Sequence, residues 1–164
     1  LDIPADLAYA DAPPAGGVIE AGDALSFVVE VRAVIAPTLE SDAPLDLRLT
    51  PSIEALGVTT EDVVVGDGAV VEEGDTAIVH MLIVRGDNQV VLFNTWGRND
   101  PVQVVLTEGG SLPGVVEGLE GVTVGTKRII TMPPELAFGA EGNPGLGLPA
   151  DVDVIVVAEV VGAY

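Results

Sequence analysis

Short apolar segments rich in β-branched residues alternate along the chain with turns made of glycine, proline and acidic residues. This pattern is typical of β-strands that are connected by tight turns. The strands predicted from it are Ser26–Ile35, Val63–Val65, Thr76–Val84, Val90–Asn94, Val102–Leu106, Lys127–Met132 and Val152–Val161. Gly86-Asp87-Asn88 lies between two of them and predicts a hairpin turn.

One segment follows a helical period. Its apolar residues at i, i+3, i+4 and i+7, which are Leu112, Val115, Val116 and Leu119, form one face of a short helix. Pro113 suits the first turn of this helix, and Gly121 is expected to end it. A long loop, Pro133–Pro149, separates the last two strands. We therefore predict an α+β domain in which an antiparallel sheet holds one short helix.

The beginning of the chain repeats near its end. Leu1–Val31 aligns with Ile130–Val160 at a constant offset of 129 residues, without insertion or deletion. The alternative is a chance match between two apolar hairpins, which a constant register over this length disfavours. A repeat marks one structural unit used twice, so about 70 residues of a first copy would precede Leu1 if the copies were equally long.

The repeat predicts three parts of the chain. Residues 1–35 are the C-terminal fragment of a first domain, residues 36–45 are a linker, and residues 46–164 are a complete domain. The strand Ser26–Ile35 would leave backbone groups without partners. Three sources of a partner stay open, namely residues upstream of Leu1, the sheet of the second domain, and another chain.

Composition and charge exclude several classes of function. The chain carries 26 acidic and 6 basic residues, a formal charge of −20, which repels nucleic acids and anionic membrane surfaces. It has no cysteine and one histidine, His80, so thiol catalysis, disulfides and the usual metal sites are not expected. No apolar run reaches the roughly 18 residues of a membrane span. No cofactor or metal is predicted.

Several residues are of types that often act in catalysis or metal binding, but a structural role is the better interpretation for most of them. His80 lies within a predicted strand and is assigned to the core or to a cross-strand contact. The acidic pairs Glu72-Glu73 and Glu117/Glu120 are assigned to the solvated surface, and Asp67 to a turn. For Trp96, an exposed anchor for a partner and a packed loop residue both remain open. Ser111 has no histidine nearby in sequence, so no hydrolytic triad is predicted.

A set of motifs in a fixed order resembles the FKBP-type peptidyl-prolyl cis–trans isomerases. These motifs are Gly74-Asp75-Thr76, Val79-His80, Phe93-Asn94, Leu112-Pro113-Gly114, Glu117-Gly118-Leu119, Val124-Gly125 and Pro133-Pro134-Glu135-Leu136-Ala137-Phe138-Gly139. The resemblance covers Thr60–Val161 as a whole domain and Asp2–Ile35 as the C-terminal third of another, a tandem arrangement. It implies a twisted antiparallel sheet wrapped around one short helix, with an apolar cleft between them.

The resemblance also implies an activity. Rotation about an X–Pro bond crosses a barrier of about 18–20 kcal/mol because amide resonance is broken. No bond is made or cleaved, so the cleft only has to prefer the twisted amide, and neither a nucleophile nor a metal is needed. Proline-containing polypeptide clients would be the partners.

The site residues are carried over position by position. The catalytic positions are Phe93, Asn94, Leu112 and Phe138, and the substrate-binding positions are Met81, Val102, Ser111, Val115, Leu146, Leu148 and Val156. Asn94 stands where the family has Asp, and Phe138 where it has Tyr. Met81, Val102, Val115 and Val156 replace aromatic residues, so we expect a degenerate site with weak activity. The truncated first copy keeps Tyr9 and Phe27 at the positions of Phe138 and Val156.

Two functions stay open. The chain is either a peptidyl-prolyl isomerase that assists protein folding, or a non-catalytic FKBP-like chaperone or protein-interaction module. Its acidity, its five arginines against one lysine and its lack of cysteine suggest an exported or cell-envelope protein of a high-GC bacterium. A cytosolic or salt-adapted origin is the alternative.

Overall fold

The computed structural model describes residues 1–164, which form two compact units, Leu1–Arg32 and Ala33–Tyr164. The first unit contains two short strands, β1 (Asp2–Ile3) and β2 (Leu25–Ser26), which pair antiparallel. A 3-10 turn, Ala5–Leu7, follows β1. The strand predicted over Ser26–Ile35 is therefore wrong beyond Ser26.

The physical reason lies in hydrogen bonding. A strand exists only where a neighbouring strand pairs with it, and β1 supplies partners for two residues of β2. Beyond that point the chain remains apolar in sequence but irregular in conformation. Val28 and Val34 are almost fully exposed, at 104% and 88%.

Six strands of the second unit form one antiparallel sheet. They are β3 (Thr59–Val64), β4 (Thr76–Arg85), β5 (Val91–Asn94), β6 (Val102–Val105), β7 (Lys127–Met132) and β8 (Val154–Ala163). Their order is β3-β7-β8-β4-β5, and β6 also pairs with β4. The hairpin predicted at Gly86-Asp87-Asn88 joins β4 to β5. The strands predicted from Thr76 onward are confirmed to within two residues at either end.

The sheet holds one helix, α1 (Pro113–Leu119), as predicted. Leu119 and Val115 of the predicted apolar face are buried, and so are Gly114 and Gly118. A Cβ atom added to Gly118 would lie 2.7 Å from Cγ2 of Ile130 on β7, so the helix backbone approaches the sheet closely. The α+β fold class is confirmed.

Both faces of the sheet are covered. The inner face packs against α1 and contains most of the buried side chains, including Val79, Met132, Val156 and Val160. The outer face carries a smaller cluster formed by Ala43, Leu82, Val84, Trp96, Ile155 and Val157. Because both faces are covered, the central strands β4 and β8 are apolar almost throughout rather than alternating.

The segment predicted as a linker, residues 36–45, covers part of the outer face. It contains a 3-10 turn, Glu40–Asp42, and a buried residue, Ala43. The backbone N–H of Thr38 donates to Oδ1 of Asn99 at 2.7 Å, and its hydroxyl donates to the carbonyl of Trp96 at 3.2 Å. Composition predicted a linker here because proline and acidic residues are common in linkers. The contacts of Thr38 could not be predicted from this segment alone, because their partners Trp96 and Asn99 lie in a loop about 60 residues later in the sequence.

The loop before β8 also contains local structure. A 3-10 turn spans Pro134–Leu136, and an isolated bridge joins Asn143 to Leu148.

None of the helices combines the length and the apolarity that crossing a membrane requires.

Candidate functional site

An apolar cavity of about 300 Å³ opens between the inner face of the sheet and α1. Three strands, the start of the helix and the loop after β7 contribute to it. Its lining residues are Met81, Ile83, Phe93, Val102, Gln103, Val104, Ser111, Leu112, Val115, Phe138 and Leu146. Side-chain polar groups come only from Ser111 and Gln103, so the cavity suits an apolar ligand.

One wall is built by strand pairing. Ile83 on β4 lies directly opposite Phe93 on β5, and Met81 lies two residues before Ile83 on the same face of β4. Val102 comes from β6, which pairs with an earlier part of β4. The exchange of partners along β4 thus brings both edge strands to the cavity.

The helix supplies the floor. Leu112 is the residue before Pro113 and has extended backbone angles, as expected before a proline. It lies at the N-terminus of α1, where its carbonyl accepts hydrogen bonds from the N–H groups of Val115 and Val116. Val115 is 2% exposed and closes the floor.

The loop after β7 supplies the roof. Phe138 follows the 3-10 turn Pro134–Leu136 and precedes Gly139, whose φ of 75° turns the chain back. The N–H of Gly139 donates to the carbonyl of Pro134 at 2.7 Å, which fixes this turn. The Phe138 ring therefore faces the cavity, and it brings no hydroxyl group to it.

The structure brings most of the predicted site residues together in this cavity. Those that line it are Met81, Phe93, Val102, Ser111, Leu112, Val115, Phe138 and Leu146. Asn94, Leu148 and Val156 do not. Leu148 and Val156 are 2% and 0% exposed and lie in the core. Val156 on β8 lies directly opposite the lining residue Ile83, and its own side chain is packed in the core.

Asn94 has a different role from the one the resemblance implies. Its side-chain Oδ1 accepts a hydrogen bond from the backbone N–H of Trp96 at 2.9 Å. This local contact directs the amide toward the loop that follows β5. Asn94 therefore stabilises the loop and contributes no polar group to the cavity lining.

Three cavity residues were missed by sequence analysis: Ile83, Val104 and Gln103. Ile83 and Val104 lie two positions from Met81 and Val102, so strand alternation alone could have predicted them. Gln103 carries no such signal. Its Oε1 accepts a hydrogen bond from the hydroxyl of Tyr164 at 3.2 Å, a contact across 61 residues of sequence.

Another cavity, of about 390 Å³, lies on the outer side of the sheet. Half of the residues that line this groove are aliphatic, and the others are polar or charged, namely Arg48, Thr50, Glu61, Asp62 and Thr131. Asp62 is bound by Arg128, whose hydrogen bonds hold the pKa of this carboxyl below its usual value. The groove has no aromatic side chain.

His80 lies outside the inner cavity, within β4, and is fully buried. This confirms its assignment to the core. Burial lowers the pKa of the imidazole, and the carboxylates of Glu159 and Asp100 oppose this shift. Trp96 is 1% exposed and stacks on the imidazole, so it is a packed loop residue. Nowhere do three or more His, Cys, Asp or Glu side chains come together in a way that could hold a metal ion.

Comparison with known proteins identifies the family. Residues 68–160 match the family model of the FKBP-type peptidyl-prolyl cis-trans isomerases. The chain belongs to this family. Its FKBP domain contains the inner cavity, and every residue that lines the cavity lies within the matched range.

Relatives of the FKBP domain occur in bacteria. A probable FK506-binding protein of Corynebacterium glutamicum is 33% identical over 99 residues, which cover 60% of this chain and 80% of the relative. The FK506-binding protein of Streptomyces anulatus is 31% identical over 101 residues, which cover 62% of this chain and 82% of that one.

Solved structures have the same fold. FkpA from Escherichia coli matches with a TM-score of 0.58 and 27% identity over 69% of this chain and 51% of its own. The N-terminal domain of FKBP42 from Arabidopsis thaliana matches with a TM-score of 0.62 over 71% of this chain and 98% of its own. At 22% identity, the second match shows the fold alone.

Proposed function

We propose that the inner cavity binds proline-containing segments of client polypeptides and accelerates rotation about their X–Pro bonds. The observation that carries this proposal is the apolar lining, in which the rings of Phe93 and Phe138 are joined by aliphatic side chains. Rotation about the bond breaks amide resonance without making or cleaving a bond. A cavity that excludes water and accepts the twisted amide better than the planar one is sufficient for catalysis.

We further propose that the activity is weak. Phe138 provides no hydroxyl, and the amide of Asn94 is bonded to the backbone of Trp96. The substrate carbonyl would thus lack a side-chain donor from the roof. The loss of one such hydrogen bond corresponds to about 1 kcal/mol, or roughly a fivefold loss of rate.

The test is to restore the hydroxyl. Isomerisation of an X–Pro peptide is followed by a protease-coupled assay or by NMR exchange, with the wild-type chain and with Phe138→Tyr. Because residue 138 faces the cavity, we expect Phe138→Tyr to raise kcat/KM by about fivefold. Asn94→Asp should change it much less, since this side chain points to the loop.

Asn88→Asp is the matched control, because it makes the same change of charge in the exposed turn between β4 and β5. It should leave the rate unchanged. If neither the wild-type chain nor Phe138→Tyr accelerates the reaction at micromolar concentration, the catalytic proposal is wrong.

A non-catalytic role is the second candidate, and the absence of a hydroxyl at Phe138 and of the Asn94 amide from the cavity lining favours it. In that case the cavity would bind proline segments as a chaperone or interaction module does. Binding without acceleration, weakened by Phe93→Ala, would support this function over catalysis. Titration of the peptide into labelled protein measures it directly.

We also propose that Leu1–Arg32 is the C-terminal part of another FKBP-like domain, so that the arrangement is a tandem one. The pairs Asp2↔Ser26 and Ile3↔Leu25 become Thr131↔Ile155 and Met132↔Val154 when 129 is added to each number, and β7 and β8 contain these two pairs. The 3-10 turns at Ala5–Leu7 and Pro134–Leu136 differ by the same offset.

Two left-handed turn positions follow the same offset. Ala10 and Gly139 have φ of 48° and 75°, and Gly22 and Asp151 have φ of 85° and 53°. The left-handed region is uncommon for residues other than glycine, so its recurrence at equivalent positions supports a common origin. Two apolar hairpins that were similar only by chance would not be expected to have left-handed residues at equivalent positions.

An exchange of segments tests the tandem proposal. Residues 130–160 of the chain are replaced by a second copy of residues 1–31, with Phe27→Val in that copy to match Val156. The chimera should unfold cooperatively in urea with Trp96 still buried. The matched control inserts residues 2–32 instead, and this shift by one residue places each strand side chain on the opposite face of the sheet. A chimera no more stable than its shifted control would contradict the proposal.

A further inference from the structure

Strand β4 changes its partner at the position where it forms the cavity wall. Its first half, Thr76–Val79, pairs with β6, and its second half, from Leu82, pairs with β5. Between the two halves, Met81 needs a hydrogen-bond acceptor for its buried N–H group. The hydroxyl of Thr95, just after β5, accepts this hydrogen bond at 2.8 Å. The N–H of Thr95 in turn donates to the carbonyl of Met81 at 3.2 Å.

The Thr95 hydroxyl also contacts a buried histidine, His80, on the side away from the cavity lining. Nδ1 of His80 lies 3.0 Å from Oγ1 of Thr95, within hydrogen-bond distance. The imidazole stacks on Trp96, with ring centroids 5.3 Å apart and an interplanar angle of 25°. Thr95, His80 and Trp96 are 2%, 0% and 1% exposed. Nε2 of His80 has no hydrogen-bond partner within the chain, so Nδ1 makes the hydrogen bond of this imidazole.

This cluster joins the two sides of the cavity wall. Met81 and Phe93 both line the cavity, and Thr95 is bonded to the first and lies two residues after the second. We propose that Thr95 is a positioning residue of the site. Its hydroxyl, which is hydrogen-bonded to His80, keeps β4 at Met81 in register with the end of β5, the strand that carries Phe93. Its effect on catalysis rests on the function proposed above, whereas its effect on the cavity does not.

The two methionines of the chain make the proposal testable. Met81 lies in the cavity wall and reports on it, and Met132 lies in the core and reports on folding. With methyl-labelled methionine, Thr95→Val should move the Met81 resonance and leave that of Met132 in place. Thr95→Ser keeps the hydroxyl and should restore the wild-type Met81 resonance.

The kinetic expectation is a change in KM. A displaced wall weakens contacts that the ground state and the transition state share, so KM should rise while kcat stays nearly constant. We expect KM to rise roughly two- to tenfold in Thr95→Val, the range that corresponds to one net hydrogen bond. Thr95→Ser should return KM to within about twofold of wild type.

Thr126→Val is the matched control. Thr126 is 1% exposed, and its hydroxyl accepts a hydrogen bond from the N–H of Gly66 at 2.9 Å, but it does not line the cavity. It should lower stability as Thr95→Val does, and leave both the Met81 resonance and KM unchanged. If Thr95→Val does not fold, Thr95→Cys is measured, since a thiol is only a weak donor and acceptor.

Two results would overturn the proposal. The first is an unchanged Met81 resonance and KM in folded Thr95→Val, and the second is an equal change in Thr126→Val. If the wild-type chain does not catalyse, the isomerase function fails by itself. The positioning role is then measured by the dissociation constant of an X–Pro peptide, titrated against the Met81 resonance, with the same expected fold-change.

Discussion

Acid should destabilise this protein well above the pH at which carboxylates titrate. The cause is His80, whose pKa in the folded chain is lowered by burial, against the opposing effect of Glu159 and Asp100. In the unfolded chain the imidazole has its ordinary pKa of about 6.5. Below that pH the unfolded chain binds a proton that the folded chain does not bind, so the free energy of unfolding falls as the pH falls.

The magnitude follows from proton linkage. One proton bound only by the unfolded chain changes the free energy of unfolding by about 1.4 kcal/mol per pH unit. The loss begins near pH 6.5, has at most this slope, and ends where the pH passes the lowered pKa of His80 in the folded chain. His80 is the only histidine, so no other side chain has an ordinary pKa in this window.

Urea unfolding at a series of pH values measures this slope, with the fluorescence of the single tryptophan, Trp96, as the signal. His80→Gln is the control, because its side chain does not titrate. The carboxyls of Asp62 and Asp87 have pKa values below the ordinary 3.8, since Arg128 and Arg85 bind them, so their contribution is lost only at lower pH. A flat wild-type profile from pH 7.5 to 5.0, or the same slope in His80→Gln, would refute the reasoning.

Two further predictions concern packing and buried hydrogen bonds. Gly118→Ala should destabilise the chain by about 1–3 kcal/mol in thermal unfolding, because its Cβ would lie 2.7 Å from Cγ2 of the buried Ile130. The control is Gly57→Ala, which has no atom within 4 Å of its Cβ and should stabilise the chain by about 0.4–1 kcal/mol. Ser52→Ala should cost about 1–3 kcal/mol, because Asp153, which is 2% exposed, loses the hydroxyl that donates to it at 2.6 Å. Equal stability of Gly118→Ala and wild type, or an unchanged urea midpoint for Ser52→Ala, would contradict them.

The family resemblance predicted most of the cavity residues, and local periods predicted the strands and the helix that carry them. Met81 and Phe93 lie on strands whose β-branched composition is strong, and Leu112 and Val115 lie on a helix whose apolar period is clear. Family motifs then add which face is used. The sequence around Asn94 does not show whether its side chain points into the cavity or accepts a hydrogen bond from the backbone N–H of Trp96, because the amide can be satisfied in either place.

The sequence by itself determined the fold class, the bounds of α1 and of most strands of the second unit, and the internal offset of 129 residues. Periodicity decides which face of an element is apolar, and that information is carried by neighbouring residues. Tertiary structure decided where strands find partners and how far side chains reach. The apolar run after Ser26 stays irregular because pairing depends on a neighbour. Val156 stays in the core, and Thr95 completes β4, because both outcomes depend on residues distant in sequence.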